Sequence, residues 1–93
     1  MMKLNLSVLI LAKNEEQQIE ACIRSASFAG EVVVIDDGST DRTVEIASRL
    51  GARIVSHDMN GDWGAQQTFA IEQAACDWVY FLDADERIIP SLA

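Results

Sequence analysis

Short apolar runs alternate along this chain with stretches that repeat at helical spacing, and that alternation restricts the fold more than any other feature. The first run is Leu6-Ser-Val-Leu-Ile-Leu-Ala12 and the second Glu31-Val-Val-Val-Ile35. Both are too short for an independent helix and rich enough in branched residues for strands buried on both faces. Shorter runs follow at Arg53 to Ser56 and Trp78 to Leu82. Between the first two runs, Ile19, Cys22, Ile23 and Ala26 share a helical face. Asn14 is placed to cap that helix, with Glu15 and Glu16 in its positive first turn and an expected end near Ser27. Asp36 to Thr40 ends the second run with turn formers and opens a second helix, whose apolar face is Val44, Ile46, Ala47 and Leu50 and whose left-handed stop is Gly51. A loop rich in Asp, Asn and Gly spans His57 to Gly64, and Ala65 to Ala75 reads as a third helix. The expected fold is α/β: a mainly parallel sheet of about four strands, helices on both faces and right-handed crossovers.

Ninety-three residues, 49% of them apolar and 24% charged, describe one domain over residues 1–93. A chain this small buries only about 60 to 65% of its surface on folding, so pairing into a homo-oligomer is an expected source of stability. A net charge of −8 argues against nucleic acid or an anionic bilayer as partner and in favour of a cation. Cys22 and Cys76 lack metal-ligand spacing, and no leader pattern precedes them, so reduced thiols in the cytoplasm are expected. No apolar stretch approaches the roughly 20 residues of a membrane helix.

Ligands of open parallel sheets bind beyond the carboxyl ends of the strands, and there the polar residues of this chain gather. Lys13-Asn14-Glu15 follows the first run, Asp36-Asp37-Gly38-Ser39 the second, and Asp83-Ala84-Asp85-Glu86 the fourth. An isolated Asp-x-Asp is ordinarily a solvated acidic turn. At the end of a buried strand, its crowded carboxylates call for a hard cation, Mg²⁺ or Mn²⁺, of the kind that binds one or two carboxylates together with substrate phosphates. Of Asp36 and Asp37, turn and helix-start chemistry accounts comfortably for one. A dinucleotide fold is disfavoured because Ala12 to Glu16 contains no G-x-G-x-x-G cradle. His57, a lone loop histidine, is expected to be solvated. Trp78 reads as core, and Trp63, beside Gly61 and Gly64, as the aromatic placed to touch a ligand.

These residues resemble glycosyltransferase family 2, whose members have the GT-A fold and use nucleotide-sugar donors. The matching stretches are Leu6 to Glu16, Val32 to Thr43 and Trp78 to Arg87, in the family's order and spacing. The segment Trp63-Gly-Ala-Gln-Gln-Thr-Phe-Ala-Ile71, with Asp83 to Arg87, is similar to the subgroup that adds sugars to lipopolysaccharide core. The resemblance implies that the chain is the Rossmann-like N-terminal half of that fold, a single nucleotide-sugar-binding domain truncated relative to the family. By position, Asp37 holds the nucleobase, Asp83 lies near the ribose and metal, and Asp85 binds the metal bridging the diphosphate. Backbone near Leu11 and the Glu15 side chain border the nucleotide.

The implied activity is inverting transfer of a sugar, from a UDP-sugar in the first instance, to a glycan or lipid-linked acceptor. No residue matches the family's general base, so little activity is expected of these residues alone. Peripheral contact with the inner face of the membrane is implied only by analogy with lipid-linked acceptors. Two alternatives stand beside this reading. One is a non-catalytic nucleotide-binding or dimerisation module. The other is a nucleotidyltransferase, disfavoured because the loop after the first run has no glycine.

Overall fold

The computed structural model of the protein describes residues 3–84. In chain order the elements are β1 (Leu4–Ala12), α1 (Ile19–Ser25), β2 (Ala29–Asp36), α2 (Thr43–Arg49), β3 (Arg53–Ser56), α3 (Trp63–Gln73) and β4 (Trp78–Phe81). The strands form one sheet in the order β3-β2-β1-β4, parallel at every pairing. Right-handed crossovers that step from β1 to β2 to β3 place α1 and α2 on one face. The return past β1 to β4 places α3 on the other.

Alternating side chains of β1 and β2 feed both layers. Val8, Ile10 and Val34 pack with Ile19, Cys22, Ile23 and Ala47, whereas Leu9, Val33 and Ile35 pack with Ala70 and Phe69. Burial of each such side chain contributes about 1.5–3 kcal/mol. The unbroken apolar runs are therefore strands with a helix layer on each side.

Strand positions follow the sequence closely, β3 without any shift; the helix starts do not. Asn14 does not cap α1. It has a left-handed φ of 55°, donates its N–H to Ser39 Oγ at 2.8 Å and accepts the Thr40 N–H at 2.7 Å, so α1 is delayed to Ile19. Asp36 likewise turns back on Ser39, taking its N–H at 3.0 Å and its hydroxyl at 2.6 Å, and α2 waits until Thr43. In both places a side chain that could cap a helix is used otherwise: Asn14 joins the loops after β1 and β2, and Asp36 closes the turn of its own loop. Gly51 does end α2, at φ 89°, with its N–H on the Ser48 carbonyl at 3.0 Å. Asp62 caps α3 by accepting the Ala65 N–H at 2.9 Å.

Trp78, expected in the core, is 72% exposed. Among the described residues β4 lies at the sheet edge with β1 as its partner, so its apolar residues mark a strand paired on one side there. Val79 and Tyr80 are exposed with it.

The amino ends of the strands are held by a buried polar clasp. Ser7, fully buried, donates to Glu31 Oε2 at 2.6 Å and accepts the Cys76 N–H at 3.1 Å. Glu31 also accepts the Ala75 N–H at 2.6 Å and an Arg53 N–H at 3.3 Å, and Arg53 further donates to the Gln73 carbonyl at the end of α3. Burial works against the charge on Glu31, but hydrogen bonds from Ser7, Ala75 and Arg53 outweigh it and hold the carboxyl below its ordinary range. Gly30 lets the chain pass: a Cβ there would lie 2.6 Å from the Leu4 carbonyl oxygen and 3.0 Å from Cys76 Sγ. No helix among the described residues is long and apolar enough to cross a membrane.

Candidate functional site

The strand order reverses at β1, with β2 on one side and β4 on the other, and ligands of such sheets bind at the carboxyl ends where this reversal occurs. A cleft of about 470 Å³ opens there. It brings together Leu11 at the end of β1, Glu15 in the following loop, Asp37 after β2 and Asp83 after β4. These four residues, picked from separate parts of the sequence, share one cavity. Asp85, expected to bind metal, lies outside the described residues.

The structure separates the two aspartates that the sequence leaves ambiguous. Asp36 is 4% exposed and is used up by Ser39, so it is the turn residue. Asp37 lines the cleft. Its N–H donates to the Ala12 carbonyl at 2.9 Å, and its Oδ1 accepts the Met59 N–H at 2.9 Å. The loops after β1 and β2 are tied by Asn14 and by two further bonds, from the Glu15 N–H to Thr43 Oγ1 at 2.8 Å and from the Glu16 N–H to Asp41 Oδ2 at 3.2 Å. Desolvation opposes the charge on Asp41, but the Thr43 hydroxyl and amide and the Glu16 amide together outweigh it and hold this carboxyl below its ordinary range. Cys22 Sγ, beneath the cleft, meets the Asp83 carbonyl at 3.4 Å.

Trp63 stands in the wall, half exposed, as its sequence setting predicts. His57, expected to be solvated, is only partly exposed. Its ring stacks on Phe69 with centroids 3.7 Å apart and planes 9° from parallel, and its Nδ1 lies 2.6 Å from Gln66 Oε1. Lys13, part of the strand-end group that the sequence singles out, also lines the cleft, whereas sequence reasoning missed Gln18, Met59 and Gln66. Gln66 carries a signal only in hindsight, since it falls inside the segment that resembles the lipopolysaccharide subgroup.

Chemically, the cleft offers three carboxylates, from Glu15, Asp37 and Asp83, against the single lysine Lys13. A bare diphosphate would be repelled by such a lining, so an anionic ligand needs a cation with it. The all-oxygen donors suit Mg²⁺ or Mn²⁺. No three His, Cys, Asp or Glu among the described residues are clustered for a metal.

Comparison with known proteins places the chain in a family. Residues 7–92 match the family described as Glycosyl transferase family 2. A glycosyltransferase of Rickettsia typhi is 41% identical over 88 residues, covering 94% of this chain and 30% of the relative. The lipopolysaccharide core biosynthesis glycosyltransferase LpsC of Rhizobium meliloti is 37% identical over 94 residues, covering 97% of this chain and 35% of LpsC. The chain thus spans about a third of the length of these curated relatives. Among solved structures, glucosyl-3-phosphoglycerate synthase of Mycobacterium tuberculosis, in complex with Mn²⁺, UDP and glucosyl-3-phosphoglycerate, superposes with a TM-score of 0.75 at 33% identity over 85% of this chain and 33% of that one. S. aureus TarS also superposes with a TM-score of 0.75, at 29% identity over 90% of this chain and 28% of that one. The parallel sheet with helices on both faces is the Rossmann-like N-terminal half of a GT-A fold, and with its matching sequence over nearly its whole length this chain belongs to glycosyl transferase family 2.

Proposed function

We propose that residues 1–93 form the donor-binding domain of a metal-dependent, inverting glycosyltransferase that takes a nucleotide-sugar, a UDP-sugar in the first instance. The observation that carries this reading is the cleft that joins Leu11, Glu15, Asp37 and Asp83 from three strand ends. Asp37 binds the nucleobase; one of its oxygens serves the Met59 amide, and the other has no partner among the described residues. Leu11 and Glu15 border the nucleoside, and Trp63 stacks on base or sugar. Asp83, with Asp85 by sequence position, holds Mg²⁺ or Mn²⁺ against the diphosphate. A metal so held neutralises the charge that develops on the departing nucleoside diphosphate. The Mn²⁺ and UDP bound by the mycobacterial synthase support this choice of ligands.

Transfer itself requires a base within hydrogen-bond reach of the acceptor hydroxyl. We assign that role to none of the residues lining the cleft, and expect these 93 residues alone to bind donor with little turnover. The acceptor class proposed is a glycan or lipid-linked sugar, in keeping with the likeness to LpsC. The proposed setting is cytoplasmic, with peripheral contact at the inner membrane face where a lipid-linked acceptor is used.

The test is calorimetric titration of UDP, then GDP, with and without Mn²⁺, repeated on Asp83→Ala and Asp85→Ala. Metal-dependent UDP binding that both substitutions abolish is the expected result. Absence of binding under every condition would discard the donor reading and leave a module that works by association.

A further inference from the structure

Gln66 is 1% exposed yet contributes to the cleft wall. A buried side-chain amide is costly unless both its ends are bonded, and here both ends go to one residue. Nε2 donates to the His57 carbonyl at 2.7 Å, and Oε1 lies 2.6 Å from His57 Nδ1. A carbonyl oxygen can only accept, which fixes the orientation of the amide, so Nδ1 must carry the hydrogen. The imidazole is also pinned flat against Phe69.

From His57 the bonds lead to the ligand side. Its N–H donates to the Asp36 carbonyl at 2.9 Å; two residues on, the Met59 N–H donates to Asp37 Oδ1 at 2.9 Å, and the Met59 carbonyl accepts the Asp62 N–H at 3.0 Å. Asp62 caps the helix that begins with Trp63. We propose that Gln66 is a positioning residue for the nucleoside wall of the cleft: gripping His57 by ring and carbonyl, it sets the segment 57–63 against Asp37 and so fixes Met59, Asp37 and Trp63 relative to one another. This inference rests on the donor-binding reading above. Simple space-filling would need an apolar side chain of similar volume, not an amide bonded twice to the same residue.

The experiment uses the full chain in a Trp78→Phe background, which leaves Trp63 as the sole tryptophan. UDP with Mn²⁺, and separately pyrophosphate with Mn²⁺, are titrated while Trp63 emission and heat are followed, in the parent, Gln66→Leu and His57→Phe. His57→Phe keeps a ring on Phe69 and removes the Nδ1 donor. Gln66→Leu is expected to weaken UDP about tenfold, the loss of roughly one hydrogen bond's worth of binding, and to leave pyrophosphate unchanged. His57→Phe is expected to move UDP affinity in the same direction, and ¹⁵N spectra of the parent should show the Nδ1–H tautomer. Unchanged UDP affinity in a folded Gln66→Leu, or equal losses for UDP and pyrophosphate, would overturn the inference while the donor reading stands. If Gln66→Leu does not fold, His57→Phe decides by the same comparison. A parent that binds neither probe ends both readings.

Discussion

The two ends of the sheet use similar polar residues to opposite effect. At the amino ends Ser7, Glu31 and Arg53 and the amides of Ala75 and Cys76 point at one another, and Gly30 leaves room for them to close. At the carboxyl ends Asn14 and Asp41 reach the neighbouring loop and Asp36 closes on Ser39 in its own, and beside them Glu15, Asp37 and Asp83 line a cavity. A carboxylate surrounded by donors holds elements together, whereas one lining an open volume is available to a ligand. The residue type does not tell them apart; the number of donors within reach does.

This contrast predicts that stability and ligand binding can be damaged separately. The largest effect is expected from Gly30→Val, whose side chain would collide with the Leu4 carbonyl and the Cys76 sulfur. Overpacking of this kind costs about 3 kcal/mol, and thermal denaturation should show Tm lower by more than about 10 °C, with UDP affinity of the folded fraction unaltered. Next, Asp83→Ala should reduce Mn²⁺-dependent UDP binding about 100-fold, or about 2.7 kcal/mol, while Tm moves by only a few degrees. A large fall in Tm with binding retained would reverse the assignment of the two ends.

A smaller effect is expected at the clasp itself. Ser7→Ala leaves Glu31 and the Cys76 amide each short of a partner, costing about 1–2 kcal/mol without changing UDP affinity. Glu31→Gln sharpens the comparison through pH. The folded protein holds the Glu31 carboxyl below its ordinary value, so its contribution is fully present above that ordinary value and disappears as pH falls through the lowered one. The Tm difference between parent and Glu31→Gln should therefore be greatest near neutrality and shrink in acid. A difference that grows in acid would contradict the arrangement.

What the sequence disclosed was governed by local pattern. Branched apolar runs announce β1 and β2 because both faces of these strands are covered, and Gly51 announces the end of α2 because the left-handed turn is cheap for glycine. Leu11, Glu15, Asp37 and Asp83 could be nominated because strand ends are where such sheets bind ligands. Asn14 misled because its preference for a helix cap competes with partners from another loop, which appear only when the strands align, and Asp36 because a tight turn onto Ser39 competes locally with the helix start. Trp78 misled because an apolar run does not reveal which strand will lie at the edge. The pairing of Gln66 with His57 had no local signature, since an amide's partners are set by tertiary packing.

The placement of β4 beside β1 also bears on how the molecule is made. Asn5 and Asp77 meet across these strands although they are 72 residues apart in sequence, whereas β1, β2 and β3 associate through shorter connections. During synthesis the Asp37 side of the cleft can assemble on those neighbouring strands, but the Asp83 side must await β4 and the closure of a long loop, the kind of non-local contact that slows folding. A ribosome-bound chain that ends before Trp78 therefore carries one wall of the cleft without its opposite.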